Sequence, residues 1–540
     1  MITSIEGMGG IGKTSTSLQA VQELRSDGLF RDGVAFIDLE GFSSIRAPKT
    51  SEEALSELLR PLMDANAKLP NESIELQRLW REKTVGLDML LFLDNARDEK
   101  QIDKLLPDHP TCTVLITSRN RLAVAGLQPI SLTELSPEDA QTLALRLANR
   151  RLTGRLNPAQ ALQLAKFCGY LPLAIEVTTN TLDQSSGLNV EAFLKKLAEP
   201  NQPAPALEKA KASLYASLHV LTNEIRALWQ ELSVFEGGFD RKAAAAVWET
   251  DGADDILADL ELRSLIHYDR EVDRYRLHDI LRAIAFEELG QDSKRHYVSR
   301  WRHAAHYCDV LAEANQLALE GGDELLEGFW LYDREEQNIG SGQAWAEEHV
   351  DKSEEVVRLL ARYADVGAYL LLWFRGSQRA RIASLKTLLV VCRKLGDKEI
   401  EASALGCLVR ALSGIGHCND GLAYCLEWLA IARETHSHDH VGRALCTLGY
   451  IHYFLGQPHR ALENCNEAIP ILKEVGNRRY EGYATGTKGE VLHGRGDYKQ
   501  AIELYKQHLK ISRDLGEWQA ESHRLGSLGA AYMSLGEFQR

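Results

Sequence analysis

The sequence predicts a multidomain chain: an α/β domain with a parallel sheet and a phosphate loop first, helical and mixed segments next, and an all-α repeat solenoid last. Three observations carry this. The stretch GMGGIGKTS stands between a short β-branched run and a helical pattern. Continuous apolar runs alternate with helix-period stretches over residues 1–130, as in a parallel sheet covered by helices on both faces. Residues 391–540 repeat themselves with a period of 40.

With 540 residues the chain is too long for one hydrophobic core, and about three to five folding units are expected. A composition of 44% hydrophobic and 26% charged residues is that of a folded protein. No apolar run reaches membrane-spanning length, and the N-terminus lacks the basic-then-apolar layout of a signal peptide. The nine cysteines, from Cys112 to Cys465, form no CxxC pair, which fits reduced thiols in a cytoplasm. A net charge of -15 disfavours a broad phosphate-binding face, so neither a nucleic acid nor a membrane is the expected partner.

Gly7, Gly12, Lys13 and Thr14 fit GxxxxGK[ST]. The run Ile2 to Ile5 precedes them and the helical stretch Ser15 to Arg25 follows. Glycines let backbone N–H groups curl round a phosphate at a helix N-terminus. Lys13 then reaches the β and γ phosphates, and the Thr14 hydroxyl holds Mg²⁺. Two further strands read GVAFIDLEG and MLLFLDNARD, the second ending in Asp94. An acid at the carboxyl end of a buried parallel strand is where a Mg²⁺ ligand is wanted, although Asp94 could instead cap the next helix. A fourth strand, TVLITSRN, delivers Arg119 to the same edge, either to sense a γ-phosphate or to sit in solvent. Helical stretches follow, PEDAQTLALRLANR and then NPAQALQLAKFCGYLPLAIEVTTNTL, where Pro172 breaks or bends the pattern.

Together GMGGIGKTS, LLFLDNARD, LITSR, CGYLPLA and RYRLHDILRAIA (Arg274 to Ala285) resemble, in order and spacing, the NB-ARC branch of the STAND ATPases, signal-transduction P-loop NTPases. The resemblance implies an ATP- or ADP-binding site with Mg²⁺. Gly7, Gly9, Gly10, Ile11, Gly12, Lys13, Thr14 and Ser15 would hold phosphate. Thr14 and Asp94 would hold the metal ion, with Asp94 and Arg119 as the catalytic pair. Pro172 would pack near the adenine or ribose, and His278 would touch the ADP β-phosphate and latch a closed state. Read without the family, His278 is only a polar residue near a helix start.

Two departures matter. Asn95 stands where many members carry a second acid that orients the attacking water, so hydrolysis is expected to be slow at most. LDNA with the QxxxLLP-like element from Gln101 to Pro107 also resembles a bacterial sub-branch, the SARP-type transcription regulators. The second departure is that the chain opens at the first strand, with no residues to supply the upstream arginine that contacts adenine in family members. Nucleotide binding weaker than in a complete member is the corresponding expectation.

The resemblance also organises the middle of the chain: a helical lid over 131–204, a winged helix over 205–295 and a helical connector over 296–390. The winged helix is expected from helices followed by a hairpin, RSLIHYDR then DRYRLHD. It carries 12 Lys and Arg against 18 Asp and Glu, so it suits a lever better than a duplex binder. Trp301, Trp330, Trp345 and Trp373 in the connector are expected to pack its core.

In the repeat, Gly416, Gly456, Gly496 and Gly536 share one column, Gly449, Gly489 and Gly529 another, and Gly421, Ala461 and Ala501 a third. Small residues at fixed places allow close helix packing. The array resembles tetratricopeptide (TPR) repeats in a form longer than the usual ~34 residues, which implies a groove for a peptide or protein ligand. Cys425 and Cys465 align with Tyr505, and Cys446 with Gly406, Gly486 and Gly526, so they read as packing residues. In HSHDH, His436, His438 and His440 suggest zinc, but His436 falls in the turn column of Gly396, Gly476 and Gly516, which favours a solvated turn. Leu525, Leu528 and Tyr532 form an apolar face without a covering helix, so both ends are expected to continue into a longer chain.

The functional expectation is a nucleotide-controlled signalling switch. ADP would hold a closed form; a ligand on the TPR array would favour ATP and an open form that makes homo-oligomers. Alternatives are the sensor part of a SARP-like transcription regulator, a TPR scaffold with a relic phosphate loop, and a housekeeping ATPase.

Overall fold

Strand β1 (Ile2–Glu6) is the pivot of a parallel sheet, hydrogen-bonded on one side to β4 (Thr113–Ser118) and on the other to β5 (Leu127–Ser131). Strands β2 (Gly33–Asp38) and β3 (Met89–Ala96) extend it beyond β4, in the order β2-β3-β4-β1-β5. The computed structural model describes all residues except 1, 43–47, 64–68, 71, 110, 150–155, 185–188, 199–205, 321, 368–369, 372–377 and 538–540. Strand β5 has no counterpart in the sequence reading. It is an edge strand, its LQPIS residues mostly exposed and without an apolar run. Pro129 is tolerated there because an edge strand leaves one row of N–H groups unpaired.

The sheet is covered unequally. Helices α2 (Ser51–Leu59), α3 (Ser73–Thr84) and α4 (Glu99–Ile102) bury one face in a core that includes Ile37, Leu91, Leu93, Val114, Ile116 and Trp80. Helix α1 (Lys13–Ser26) covers the other through Val21 against Leu90, and Phe36 on that face stays 48% exposed. Gln101, which opens the QxxxLLP-like element, is buried and ties two loops together. Its amide donates to the carbonyls of Leu39 and Lys49, both at 2.8 Å, and accepts from the Arg97 N–H.

The lid is helical: α5 (Pro137–Asn149), α6 (Pro158–Phe167), α7 (Pro172–Gln184) and α8 (Val190–Ala198). Pro172 ends nothing; it is the first residue of α7, where a missing N–H costs no hydrogen bond. The break lies just before it, where Gly169 and Tyr170 adopt φ of 62° and 57°. Helix α9 (Ala206–Leu218) packs on α7 and adds Ala210 to the lid core. Then come α10 (Asn223–Glu231), α11 (Arg241–Trp248), α12 (Ala253–Leu262), the antiparallel pair β6 (His267–Asp269) and β7 (Arg274–Arg276), and α13 (Asp279–Gly290). Helices followed by a short hairpin are the winged-helix pattern, and Phe239 adds a bridge to Tyr275.

Contacts divide the chain into two compact units, Met1–Ser299 and Arg300–Arg540. Helix α14 (Ser293–Glu320) carries the boundary, and α15 (Gly322–Glu348), α16 (Glu354–Val366) and α17 (Gln378–Leu395) follow. Trp345 is buried as expected of a core residue. Trp330 is not: it is 63% exposed and lies under the Arg334 guanidinium at 4.6 Å. Trp373 lies outside the described residues.

The 40-residue period resolves into seven helices of 17 residues each: α18 (Lys398–Gly414), α19 (Cys418–Glu434), α20 (His438–Phe454), α21 (Pro458–Glu474), α22 (Arg478–Gly494), α23 (Tyr498–Asp514) and α24 (Trp518–Ser534). A left-handed residue follows each helix. It is a glycine throughout except at His436, whose φ is 53°. Helices end in this conformation because it satisfies their last carbonyls. The column of Gly449 and Gly489 serves close packing: an added Cβ would meet the Cys465 sulfur at 2.6 Å and the Tyr505 ring at 2.7 Å. At Gly529 nothing lies within 4 Å. All nine cysteines are unpaired and buried. Two local expectations need correction. His440 is not in a solvated turn but within α20, accepting the Trp428 indole N–H at 3.0 Å. Leu528 is buried at 8% exposure, although Leu525 is open at 47%.

His508 in α23 is buried, and neither ring nitrogen has a hydrogen-bond partner among the described residues. Burial first, then the Arg524 and His523 charges, push its pKa down to about 3. An unfolded histidine takes a proton near pH 6.5, whereas this one stays neutral in the fold. Stability should therefore be full above pH 6.5 and fall toward pH 3, by up to about 1.4 kcal/mol per pH unit. Urea melts at pH 7.5 and 5.0 should show a drop that His508→Leu largely removes. An equal drop in the variant would discount the imidazole.

Candidate nucleotide site

The site forms at the carboxyl ends of the strands, where an open parallel sheet leaves a crevice. The loop from Gly7 to Gly12 leaves β1 there. Gly7 has φ 152°, and an added Cβ would sit 2.8 Å from the Leu132 carbonyl oxygen. Gly12, at φ 96°, occupies the cap of α1, which has no side-chain cap. The first N–H groups of α1, from Lys13, Thr14 and the exposed Ser15, are thus left for an incoming anion. Ile11 points the other way, buried in the lid core, so it can offer a phosphate only its backbone.

Lys13 folds back over the loop, its Nζ donating to the carbonyls of Gly7 (2.9 Å) and Met8 (3.0 Å). Burial, then the Arg119 charge, lowers its pKa to about 8 against the opposing pull of Asp94 and Asp279. The Thr14 hydroxyl donates to Asp94 at 2.9 and 3.1 Å to its two oxygens. Asp94 also accepts from the Thr117 hydroxyl on the neighbouring strand. Burial raises the Asp94 pKa, opposed by these hydroxyl donors. A carboxylate and a hydroxyl in contact are hard oxygen ligands that suit Mg²⁺, which takes the rest of its shell from phosphate and water.

Arg119 lies just past β4. Its Nη2 donates to Asp279 Oδ2 at 3.0 Å, and its guanidinium covers the Phe42 ring at 4.9 Å. The Asn95 amide donates to the same Asp279 oxygen at 3.4 Å. The LHD triplet therefore closes on the loop. His278 caps α13, its Nδ1 accepting the Ile280 N–H at 3.3 Å. That bond leaves Nε2 as the ring's N–H donor in the neutral form. His278 is exposed, yet the protein atoms crowded about its ring lower its pKa, opposed by Asp279 and reinforced by Arg119 and Lys13. Ile280 Cδ1 comes within 3.2 Å of a Cβ placed on Gly9 and 3.0 Å of one on Gly10. On the lid side, Leu173, next to Pro172, donates its N–H to the Gly10 carbonyl at 3.5 Å.

Most residues singled out for the site thus meet round the loop: Gly7, Gly9, Gly10, Gly12, Lys13, Thr14, Ser15, Asp94, Arg119 and His278, with Pro172 on the lid side; Ile11 is turned into the lid core. Three others escaped the sequence reading. Asp38 ends β2 in register with Asp94, and burial, then Asp94, push its pKa up to about 7. Thr117 lay within the quoted LITSR and Asp279 within LHD. Only strand order and the seating of α13 reveal what these two touch.

No protein-family profile matches the chain. By sequence it is similar to the regulatory protein AfsR of Streptomyces griseus, 31% identical over 292 residues, covering 53% of this chain and 29% of AfsR. AfsR of Streptomyces coelicolor matches at 29% over the same span. An uncharacterised protein of Mycobacterium bovis is 30% identical over 243 residues, 41% of this chain and 59% of that one. The chain thus spans about three tenths of the length of the AfsR relatives it matches. Among solved structures, a STAND protein with a tetratricopeptide repeat sensor from Pyrococcus horikoshii aligns over 98% of this chain and 84% of its own, at 17% identity and a TM-score of 0.42. BtubC from P. vanneervenii aligns over 36% of this chain and 81% of its own, at 20% and 0.32. Over about half its length the chain is thus similar to the AfsR regulators.

Proposed function

We propose that the chain is an ATP- and ADP-binding switch, held closed by ADP and opened when a protein or peptide ligand on the TPR array favours exchange for ATP. The observation that carries this is the bridge from Asp279 to Arg119 and Asn95, which seats the first turn of α13 on the phosphate loop. A bound Mg²⁺–nucleotide supplies the negative charge and metal that the crevice is built to receive. Lys13 would exchange its two loop carbonyls for phosphate oxygens. Thr14 and Asp94 would open to admit Mg²⁺, and Thr117 would keep Asp94 oriented. His278 Nε2 would donate to the diphosphate. Arg119, held by Asp279, is withheld from a γ-phosphate in this form, so a triphosphate would have to win it from Asp279. A nucleotide shifts such a pair of forms only by its difference in affinity for them.

In this reading the open form homo-oligomerises, and hydrolysis is slow at most because Asn95 cannot accept a proton. The AfsR similarity favours a companion reading, in which the switch belongs to a larger regulatory protein that controls transcription. Purified protein should carry ADP, and His278→Ala should shift the ATP-to-ADP ratio by about tenfold toward ATP through loss of one charge-assisted bond. Nucleotide extracted and separated by ion-exchange chromatography measures both. A nucleotide-free wild type without ADP affinity would overturn the switch.

A further inference from the structure

The turn that leaves β2 is pinned at several points. Asp38 accepts the Glu40 N–H at 2.8 Å, and Glu40 takes the left-handed conformation at φ 52°. Gly41 then lies against the end of β3. Its N–H donates to the Asn95 carbonyl at 2.8 Å, and an added Cβ would fall 2.5 Å from the Arg97 nitrogen, so no other residue fits there without moving backbone. Gln101 holds the same turn by the Leu39 carbonyl at 2.8 Å. These bonds fix where the next side chain, Phe42, can go.

Phe42 is half-buried and belongs to neither of the cores that flank the sheet. Its ring instead lies under the Arg119 guanidinium at 4.9 Å. The same guanidinium comes within 3.5 Å of a Cβ placed on Gly9 of the phosphate loop, and Asp279 holds it at 3.0 Å. These contacts differ in kind. Asp279 occupies an N–H donor that a phosphate would also want. The ring attracts the cation through its π face and uses no donor at all. A phosphate therefore competes with Asp279 for Arg119 but not with Phe42.

We propose that Phe42 is a positioning residue for Arg119: it keeps the guanidinium beside the phosphate loop when Asp279 lets go, so that a triphosphate meets an arginine already in place. This rests on the reading of the chain as a nucleotide switch and names what steadies the handover within it. Without the ring, the released arginine must be ordered at the moment of binding, a loss of side-chain freedom that weakens the triphosphate complex. ADP has no γ-phosphate to call on Arg119, so the loss falls on ATP. An aromatic at position 42 thus sets nucleotide preference without touching the nucleotide.

Competition between Mg-ADP and the Mg complex of the β,γ-imido analogue of ATP, measured on the full chain, tests this. Phe42→Leu should lower the preference for the triphosphate about three- to fivefold, the scale of one cation–π contact, and Phe42→Met should act alike. Phe42→Tyr keeps the ring and should keep the wild-type ratio. In an Arg119→Gln chain, Phe42→Leu should have no further effect, because nothing is left to position. Circular dichroism checks that each variant is folded. An unmoved ratio in the Leu and Met variants, or an equal loss in the Tyr variant, would overturn the proposal. So would an equal loss with and without Arg119, which would make Phe42 a packing residue of the turn. A wild-type chain that binds neither nucleotide would bring down the switch reading and this role with it; binding of both with an unmoved ratio would remove the role alone.

Discussion

Lys13→Ala leaves the chain unable to retain ADP or ATP, with affinity down by about a hundredfold or more. The lysine already lies across the loop, on the carbonyls of Gly7 and Met8. A phosphate arriving at the N-terminus of α1 would meet it at once. Removing it deletes charge-assisted bonds in a partly dry pocket, where each contributes about 1.5–3 kcal/mol. The lowered pKa of Lys13, about 8, adds a pH signature. Above that pH the free site has lost its proton, and a polyanion must draw one in to bind. Affinity should fall as pH rises from 7 to 9 in the wild type, and this dependence should vanish in the variant. Calorimetric titration with Mg-ADP at pH 7 and 9 measures both, and a Lys13→Ala chain that binds like the wild type would dismiss the phosphate loop as a relic.

Asn95→Asp is expected to favour ATP over ADP by about tenfold. Asn95 has φ 58°, a conformation that Asn and Asp tolerate alike, so the backbone should survive the change. What changes is charge. The amide that donates to Asp279 becomes a carboxylate that repels it, beside Asp94 and Asp38. The Arg119–Asp279 pair is about a third exposed, which screens the effect. A lost hydrogen bond to a charged group together with that repulsion gives roughly 1–2 kcal/mol against the closed form. Competition between Mg-ATP and Mg-ADP for the purified variant measures the ratio. Asp279→Asn should move it the same way; if neither variant moves it, the bridge is packing and not a latch. Asn95 thereby acquires a second explanation: beyond lacking a proton acceptor, it is the residue that lets Asp279 approach.

The parts legible in the sequence are those encoded locally. The phosphate loop is a contiguous motif. Asp94 near the end of β3 and Ser118 at the end of β4 follow apolar runs that read as buried strands. The repeat betrays its turns by a column of glycines, so the left-handed conformation of His436 could be read from its neighbours forty residues away. Strand β5 was illegible because an edge strand needs no apolar run. Trp330 misled because a tryptophan on a helix can shelter under an arginine at the surface as well as in a core. His440 misled because its neighbours in HSHDH form the turn while it begins a buried helix face.

The sequence by itself determined that this chain has a GxxxxGK[ST] loop on a parallel sheet, an acid and an arginine at one edge of that sheet, and a helical array with small residues where helices must meet. Each depends on residues near one another along the chain. Only the tertiary structure decided that Asp94 is steadied by Thr117, that Asp38 lies beside it, and that Asp279 holds Arg119 and Asn95 at once. The reason is physical: lateral strand order and the seating of one helix on a distant loop are set by packing across 23 to 184 positions of chain, as with the 160 positions between Arg119 and Asp279. No local pattern records them.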